Sequence, residues 1–180
     1  MTLSPKQHGV VRGMTVGAIL TVVAIVGTAA WHPAALLPDD NTVARLGFAL
    51  KWAVLPGLCL MVSIGRLARH RFFTPEDIDG GGLSPGTENA RVLQAVLQNT
   101  LEQSVLASLA YLIWVVTVPH AWLASLPAAA ILFLIGRILF VRGYRHGAPA
   151  RSLGFAMTFY PSVVLLVASA IELGRRLIVG

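Results

Sequence analysis

The stretch Trp122–Val141, which reads WLASLPAAAILFLIGRILFV, decides the fold class because its only charged residue is Arg137. A helix of roughly 20 such residues crosses about 30 Å of hydrocarbon. The stretch lacks the alternation of polar and apolar residues that is typical of membrane barrel strands. It therefore predicts a transmembrane α-helix.

The rest of the chain follows the same pattern. Of its 180 residues, 56% are hydrophobic and only 12% are charged, about half the charge of an average soluble domain. Four further apolar runs have a similar length, namely Gly13–Trp31, Leu46–Ile64, Val96–Val118 and Phe155–Ile171. The sequence thus predicts an all-α integral membrane protein, in which a four-helix transmembrane bundle is preceded by one more hydrophobic segment.

The first apolar run has two interpretations. Lys6 and Arg12 precede it, and Thr28–Ala30 offers small residues for cleavage, as in a secretory signal peptide. Trp31, an interfacial anchor at its end, favours an extra transmembrane helix that is retained. Either way the predicted parts are an N-terminal hydrophobic segment (1–32), a non-cytoplasmic loop (33–45) and a four-helix transmembrane domain (46–180).

The positive charge, +6 in total, predicts the orientation in the membrane and not a nucleic-acid partner. The basic residues lie at the ends of apolar runs, where they act as topology signals and anchors. Two segments, 66–91 and 142–151, hold most of the arginines, so we expect both on the cytoplasmic side. These arginines are Arg66, Arg69, Arg71, Arg91, Arg142, Arg145 and Arg151.

Polar residues enter the third apolar run along one helix face. Arg91, Gln94, Gln98 and Glu102 follow one another at steps of three and four, and Asn99 lies beside them. The stripe is either an interhelical hydrogen-bond ladder that holds the bundle together or part of a binding site. Both alternatives stay open at this point.

Two more polar groups belong to the same end of the bundle. Arg137 is at a depth comparable to that of Glu102, and an ion pair between them would remove the cost of two isolated charges in the bilayer. Arg151 and Ser152 begin the last helix, with Ser152 as a plausible cap, and together they favour an anion such as a thiolate or carboxylate. The five histidines are scattered without metal-ligand spacing, so no metal site is predicted.

Several motifs in this order resemble the MAPEG family, the membrane-associated proteins in eicosanoid and glutathione metabolism. The motifs are Phe72-x-x-Pro75-Glu76-Asp77, Gln98-Asn99-Thr100-Leu101-Glu102, Arg137-x-x-Phe140-x-x-Gly143-Tyr144 and Ala148-Pro149-Ala150-Arg151-Ser152. The resemblance covers about Leu46 to the C-terminus. It implies a four-helix protomer that forms a homotrimer in the lipid bilayer, with glutathione bound as co-substrate between neighbouring protomers at the cytoplasmic end.

The resemblance also implies roles for particular residues. Arg151 matches the arginine that stabilises the glutathione thiolate, and Ser152 matches a serine of the prostaglandin-synthase branch. The residues implied to contact glutathione are Arg91, Gln98, Asn99, Glu102, Arg137 and Tyr144. We therefore expect Asn99, Glu102, Arg137, Tyr144 and Arg151 to converge at one pocket.

Two functions follow from these motifs. The first is a membrane-bound, glutathione-dependent transferase or peroxidase acting on lipophilic electrophiles, and Arg151, Tyr144 and Glu102 favour it. The second is a non-catalytic lipid-binding or scaffold membrane protein on the same fold. It is favoured by Ala95 and Phe140, which stand where the family commonly has an arginine and a tyrosine.

Overall fold

A computed structural model describes residues 3–31 and 37–179, so part of the predicted loop 33–45 lies outside the described residues. It contains five long helices, each long and apolar enough to cross a membrane. They are α1 (Pro5–Trp31), α2 (Thr42–Phe73), α3 (Glu88–Thr117), α4 (Ser125–Gly143) and α5 (Ala148–Val179). Short 3₁₀ turns lie at Pro75–Asp77, His120–Ala124 and Tyr144–His146. The predicted fold class, an all-α membrane bundle, is confirmed, and the N-terminal hydrophobic segment is helical.

The helices alternate in direction around a core of large apolar side chains. Trp114 and Tyr111 of α3 are 1% exposed, and they belong to the same buried cluster as Phe133 of α4 and Leu165 of α5. The segment 74–87 and the turn 144–147 lie at one end of the bundle, where Arg145 donates a hydrogen bond to Asn89. We call this the loop end.

Helix α2 begins four residues before the apolar run that predicted it, because polar groups extend it. The side chain of Asn41 accepts a hydrogen bond from the backbone N–H of Ala44, which caps the helix. The Arg45 guanidinium donates to the carbonyls of Val115 and Val118, both at 3.0 Å. Arg45 therefore satisfies the free carbonyls at the end of α3 and fixes α2 antiparallel to α3.

Helix α1 packs parallel to α5 through three glycines spaced four residues apart. A Cβ at Gly9 would lie 2.8 Å from the Cβ of Pro149, and at Gly13 and Gly17 it would collide with Ser152 and Ala156. Small residues at this spacing let two membrane helices approach closely. Because the contact runs along the first three turns of both helices, α1 starts at the loop end beside α5.

The segment between α2 and α3 is held by one buried carboxylate, Asp77, which is 1% exposed. It accepts hydrogen bonds from the backbone N–H of Thr87 (2.8 Å) and from the Thr87 hydroxyl (2.6 Å). His70 Nε2 lies 2.8 Å from Asp77 Oδ2, the oxygen that also accepts from the Thr87 hydroxyl. The hydrogen bonds from Thr87, with a smaller contribution from His70, hold the pKa of Asp77 below its usual range.

We expect Gly17→Leu to separate α1 from α5, because a side chain there collides with Ala156. Overpacking of this kind costs about 1–3 kcal/mol. The matched control is Gly27→Leu on the same helix, where a Cβ would meet nothing within 4 Å. Thermal unfolding in one detergent compares the two variants, and equal melting temperatures would contradict the close packing.

Asp77→Asn should lower the melting temperature at neutral pH, because an amide cannot accept the same charge-assisted hydrogen bonds. A carboxylate whose folded pKa is depressed stabilises the fold above its unfolded pKa of about 3.9, and that contribution disappears as the pH falls through the lower folded pKa. The difference between wild type and variant should therefore vanish in acid. Asp79→Asn, an exposed neighbour, is the control, and a difference that persists at the lowest pH would contradict the assignment.

Candidate functional site

A cavity of about 380 Å³ lies at the loop end, where α3, α4 and α5 meet α1. Arg151 places its guanidinium carbon 4.3 Å from the ring centroid of Tyr144, a cation–π contact that holds both side chains. Asn99 and Ser152 also line the cavity. None of the described residues that line it is a carboxylate, so its only formal charge is positive. We call this the Arg151 cavity.

The turn between α4 and α5 positions these groups. Gly147 has φ of +92°, a conformation that glycine adopts without strain, and it reverses the chain between the two helices. Gly143 lies directly against the backbone of Ala150, so a side chain there would push the helices apart. Arg151 consequently lies in the first turn of α5, next to Tyr144.

The prediction that Ser152 caps α5 is wrong. The helix begins at Ala148, which places Ser152 inside it, and the Ser152 hydroxyl donates to the carbonyl of Pro149 at 2.8 Å. Ser152 is 6% exposed and packs against Gly13 of α1. Ser152 also lines the Arg151 cavity.

The predicted ion pair between Glu102 and Arg137 is also wrong. Arg137 is 3% exposed, and its Nη1 donates to Asn99 Oδ1 at 2.9 Å, while its guanidinium lies 4.2 Å from the ring centroid of Phe140. Glu102 is exposed and accepts a hydrogen bond from Gln98 at 2.9 Å. The α3 side chain that contacts Arg137 is therefore Asn99, whereas Glu102 lies on an exposed side of α3.

The polar stripe of α3 forms as the spacing predicted, but on an outer face. Arg91, Gln94 and Gln98 line a cavity of about 430 Å³ beside Asp77, and Arg71 donates to Gln94 there at 3.1 Å. These residues do not line the Arg151 cavity. Within one chain the structure thus brings together Asn99, Tyr144, Arg151 and Ser152, and leaves Arg91, Gln98 and Glu102 apart.

The sequence analysis did not identify several residues that line the Arg151 cavity and a second cavity. Val10 and Met14 of α1 line the Arg151 cavity, although α1 lies outside the motifs that carry the resemblance. Cys59 and Arg66 of α2 line a separate cavity, which Arg137 also lines. A spacing of seven residues, with Ser63 between them, places Cys59 and Arg66 on one helix face, and this pattern could have marked them.

Among residues 3–31 and 37–179, no group of three or more His, Cys, Asp or Glu side chains is arranged to hold a metal ion. The polar side chains that line the Arg151 cavity are those of Asn99, Tyr144, Arg151 and Ser152.

A model of the MAPEG family matches residues 46–171, which are helices α2 to α5 without the ends of the first and last. An uncharacterized protein of Synechocystis sp. (strain ATCC 27184 / PCC 6803 / Kazusa) is similar to this chain. It is 32% identical over 126 residues, which cover 64% of this chain and 78% of the relative. No solved structure gives a significant match. The chain belongs to the MAPEG family.

Proposed function

We propose that this protein is a membrane-bound, glutathione-dependent transferase or peroxidase whose Arg151 stabilises the glutathione thiolate. The observation that carries the proposal is the Arg151 cavity, where a guanidinium held against Tyr144 faces a space without carboxylates among its described lining residues. A free thiol has a pKa of about 8.5 and is mostly protonated at neutral pH. A fixed cation favours the thiolate, which is the nucleophilic form.

The other lining residues support the same chemistry. The hydroxyl of Tyr144 and the amide N–H₂ of Asn99 supply hydrogen-bond donors for the sulfur and the peptide groups of glutathione, and the Ser152 hydroxyl, whose proton is bonded to Pro149, supplies an acceptor. Phe140, Phe155 and Met14 supply an apolar wall for a lipophilic electrophile. The thiolate sulfur would then form a bond to the electrophilic atom and displace its leaving group, or to a peroxide oxygen with cleavage of the O–O bond.

We propose a homotrimer because the polar stripe is exposed in the single chain. Glu102 lies about 21 Å along the axis of α3 from Glu88, at 1.5 Å per residue, well inside a membrane-spanning helix. A carboxylate facing lipid at that depth costs several kcal/mol. A second copy packed on this face would cover Glu102 and Gln98, and would bring them towards a glutathione bound between protomers.

We further propose that the loop end is cytoplasmic and that α1 stays in the protein. The arginines of segments 66–91 and 142–151 lie at that end, in agreement with the positive-inside rule. The glycine contacts of α1 with α5, and the contribution of Val10 and Met14 to the Arg151 cavity, favour a retained helix over a cleaved signal peptide.

A non-catalytic lipid-binding or scaffold role is the second candidate. It is favoured by the absence of Glu102 from the Arg151 cavity, since no carboxylate among the described lining residues is available for the amino group of glutathione. Phe140, which packs against Arg137 and Tyr144, adds apolar surface where the family commonly has a tyrosine.

Arg151→Gln should reduce the ultraviolet thiolate signal of bound glutathione about tenfold. A neighbouring cation lowers an acid's pKa by about one unit or more, so its loss reduces the thiolate fraction at neutral pH about tenfold. Calorimetry and difference absorbance on the purified protein measure binding and ionisation separately. Arg69→Gln, an exposed arginine that does not line this cavity, is the control. If wild type binds no glutathione at millimolar concentration, the lipid-binding candidate replaces the enzyme.

Light scattering of the detergent-solubilised protein should give the mass of three copies. Glu102→Trp should shift the mass towards one copy, because a bulky side chain disturbs the packed polar face. Ile171→Trp, at a 67% exposed position on α5, should leave the mass unchanged. A wild type of one copy would refute the trimer, and an unchanged mass in Glu102→Trp would remove this face from the interface.

A further inference from the structure

Helix α1 lies outside the part of the chain that matches the family, yet it completes the wall of the Arg151 cavity. The family match covers residues 46–171, whereas Val10 and Met14 of α1 line the cavity together with residues of α3, α4 and α5. Val10 and Met14 are one helical turn apart and therefore lie on the same face of α1. A bundle of α2 to α5 alone would leave this side of the cavity without a wall.

The position of this wall is fixed by contacts of the helix backbone. Gly13 lies directly against Ser152, and one turn earlier Gly9 lies against Pro149. Because glycine has no side chain, the backbone of α1 makes these contacts itself, and a rotation of α1 about its axis would bring side chains into collision with α5. The side chains of α1 that line the cavity therefore keep their place beside Arg151.

Met14 lies between the cavity and the outside of the bundle. It lines the cavity and is 41% exposed, whereas Phe140, which also lines the cavity, is 4% exposed and belongs to the inner wall. The apolar run of α1 begins at Gly13, so Met14 is close to the point where the helix enters the hydrocarbon. Met14 thus borders a mouth through which the cavity meets the edge of the bilayer.

The cavity is small for the reaction proposed above. Its volume of about 380 Å³ is near the lower end of the range for small-molecule sites, roughly 300–1,000 Å³. The sulfur of glutathione has to lie in this space, beside the guanidinium of Arg151. The room that remains next to the sulfur fits a compact apolar group, and a longer chain has to leave through the mouth past Met14.

From these observations we propose that Met14, together with Val10, determines which electrophiles reach the thiolate. Compact electrophiles, such as a single aromatic ring with a halide leaving group, are accepted in preference to those with a long alkyl chain. The inference rests on the proposed glutathione-dependent activity and on a retained α1, and it adds the substrate class of that site. Both residues act by limiting space, and neither takes part in the bond making.

Alkyl esters of a chlorodinitrobenzoic acid test the proposal, because they share one reactive ring and differ only in the alkyl chain. In each ester the thiolate sulfur forms a bond to the ring carbon that carries chlorine, and chloride leaves with the electron pair of the broken bond. We would measure kcat/KM for the methyl and the dodecyl ester in nanodiscs and score the ratio of dodecyl to methyl. Comparing variants by this ratio cancels the partition of each ester into the bilayer.

Two substitutions at one position should move the ratio in opposite directions. Met14→Ala widens the mouth and should raise the ratio about tenfold, whereas Met14→Trp narrows the mouth and should lower it. A variant that is merely less stable would lose activity with both esters and leave the ratio unchanged. Val16→Ala is the matched control, since Val16 is on the same helix, is also 41% exposed and does not line the cavity, so its ratio should equal that of wild type.

The outcomes separate this inference from the proposed function. Equal ratios in wild type, Met14→Ala and Met14→Trp would overturn the inference and leave the glutathione-dependent activity in place. An equal rise in Val16→Ala would also overturn it, because the effect would then not belong to the cavity. Wild type that binds glutathione as the thiolate but reacts with neither ester would contradict the substrate class alone. Wild type that binds no glutathione would remove the proposed function and this inference together.

Discussion

The hydrogen bond between Arg137 and Asn99 is the contact on which the loop end of the bundle depends. A guanidinium inside a membrane-spanning helix is costly unless it is partnered, and here one amide oxygen and the face of Phe140 share that role. Because Asn99 belongs to α3 and Arg137 to α4, the bond fixes these helices relative to each other. The bond also joins residues of two separate cavities, since Asn99 lines the Arg151 cavity and Arg137 lines the cavity beside Cys59 and Arg66.

The sequence predicted the fold in nearly all its parts, because crossing a bilayer imposes a length and an apolarity that are visible in composition. All five apolar runs became helices. The ends of the helices were less predictable. Helix α2 starts at Thr42 because Asn41 caps it and Arg45 donates hydrogen bonds to carbonyls of α3. Both contacts are made by polar residues, which a hydropathy pattern does not mark as helical. Tertiary partners, which hydropathy does not encode, set those boundaries.

The site was predicted only in part, because spacing gives depth along a helix but not which neighbour it faces. Asn99 and Glu102 are three residues apart and so differ by about 60° around the helix axis. That rotation decides which of them meets Arg137, and Gln98, one turn before Glu102, gives the carboxylate a local partner. Tyr144 and Arg151 were predicted correctly as neighbours. The connection between α4 and α5 is only four residues long, so the side chains on either side of it stay close together.

The parallel pairing of α1 with α5 changes the topology of the family's bundle. A bundle of helices α2 to α5 alone makes an even number of crossings and has both chain ends on one face of the membrane. With α1 retained and spanning, as proposed above, the number is odd, which places Pro5 and Ile178 on opposite faces. A soluble domain or targeting signal attached before α1 would therefore share a compartment with the arginine-lined cavities, whereas one attached after α5 would be separated from them by the whole bilayer.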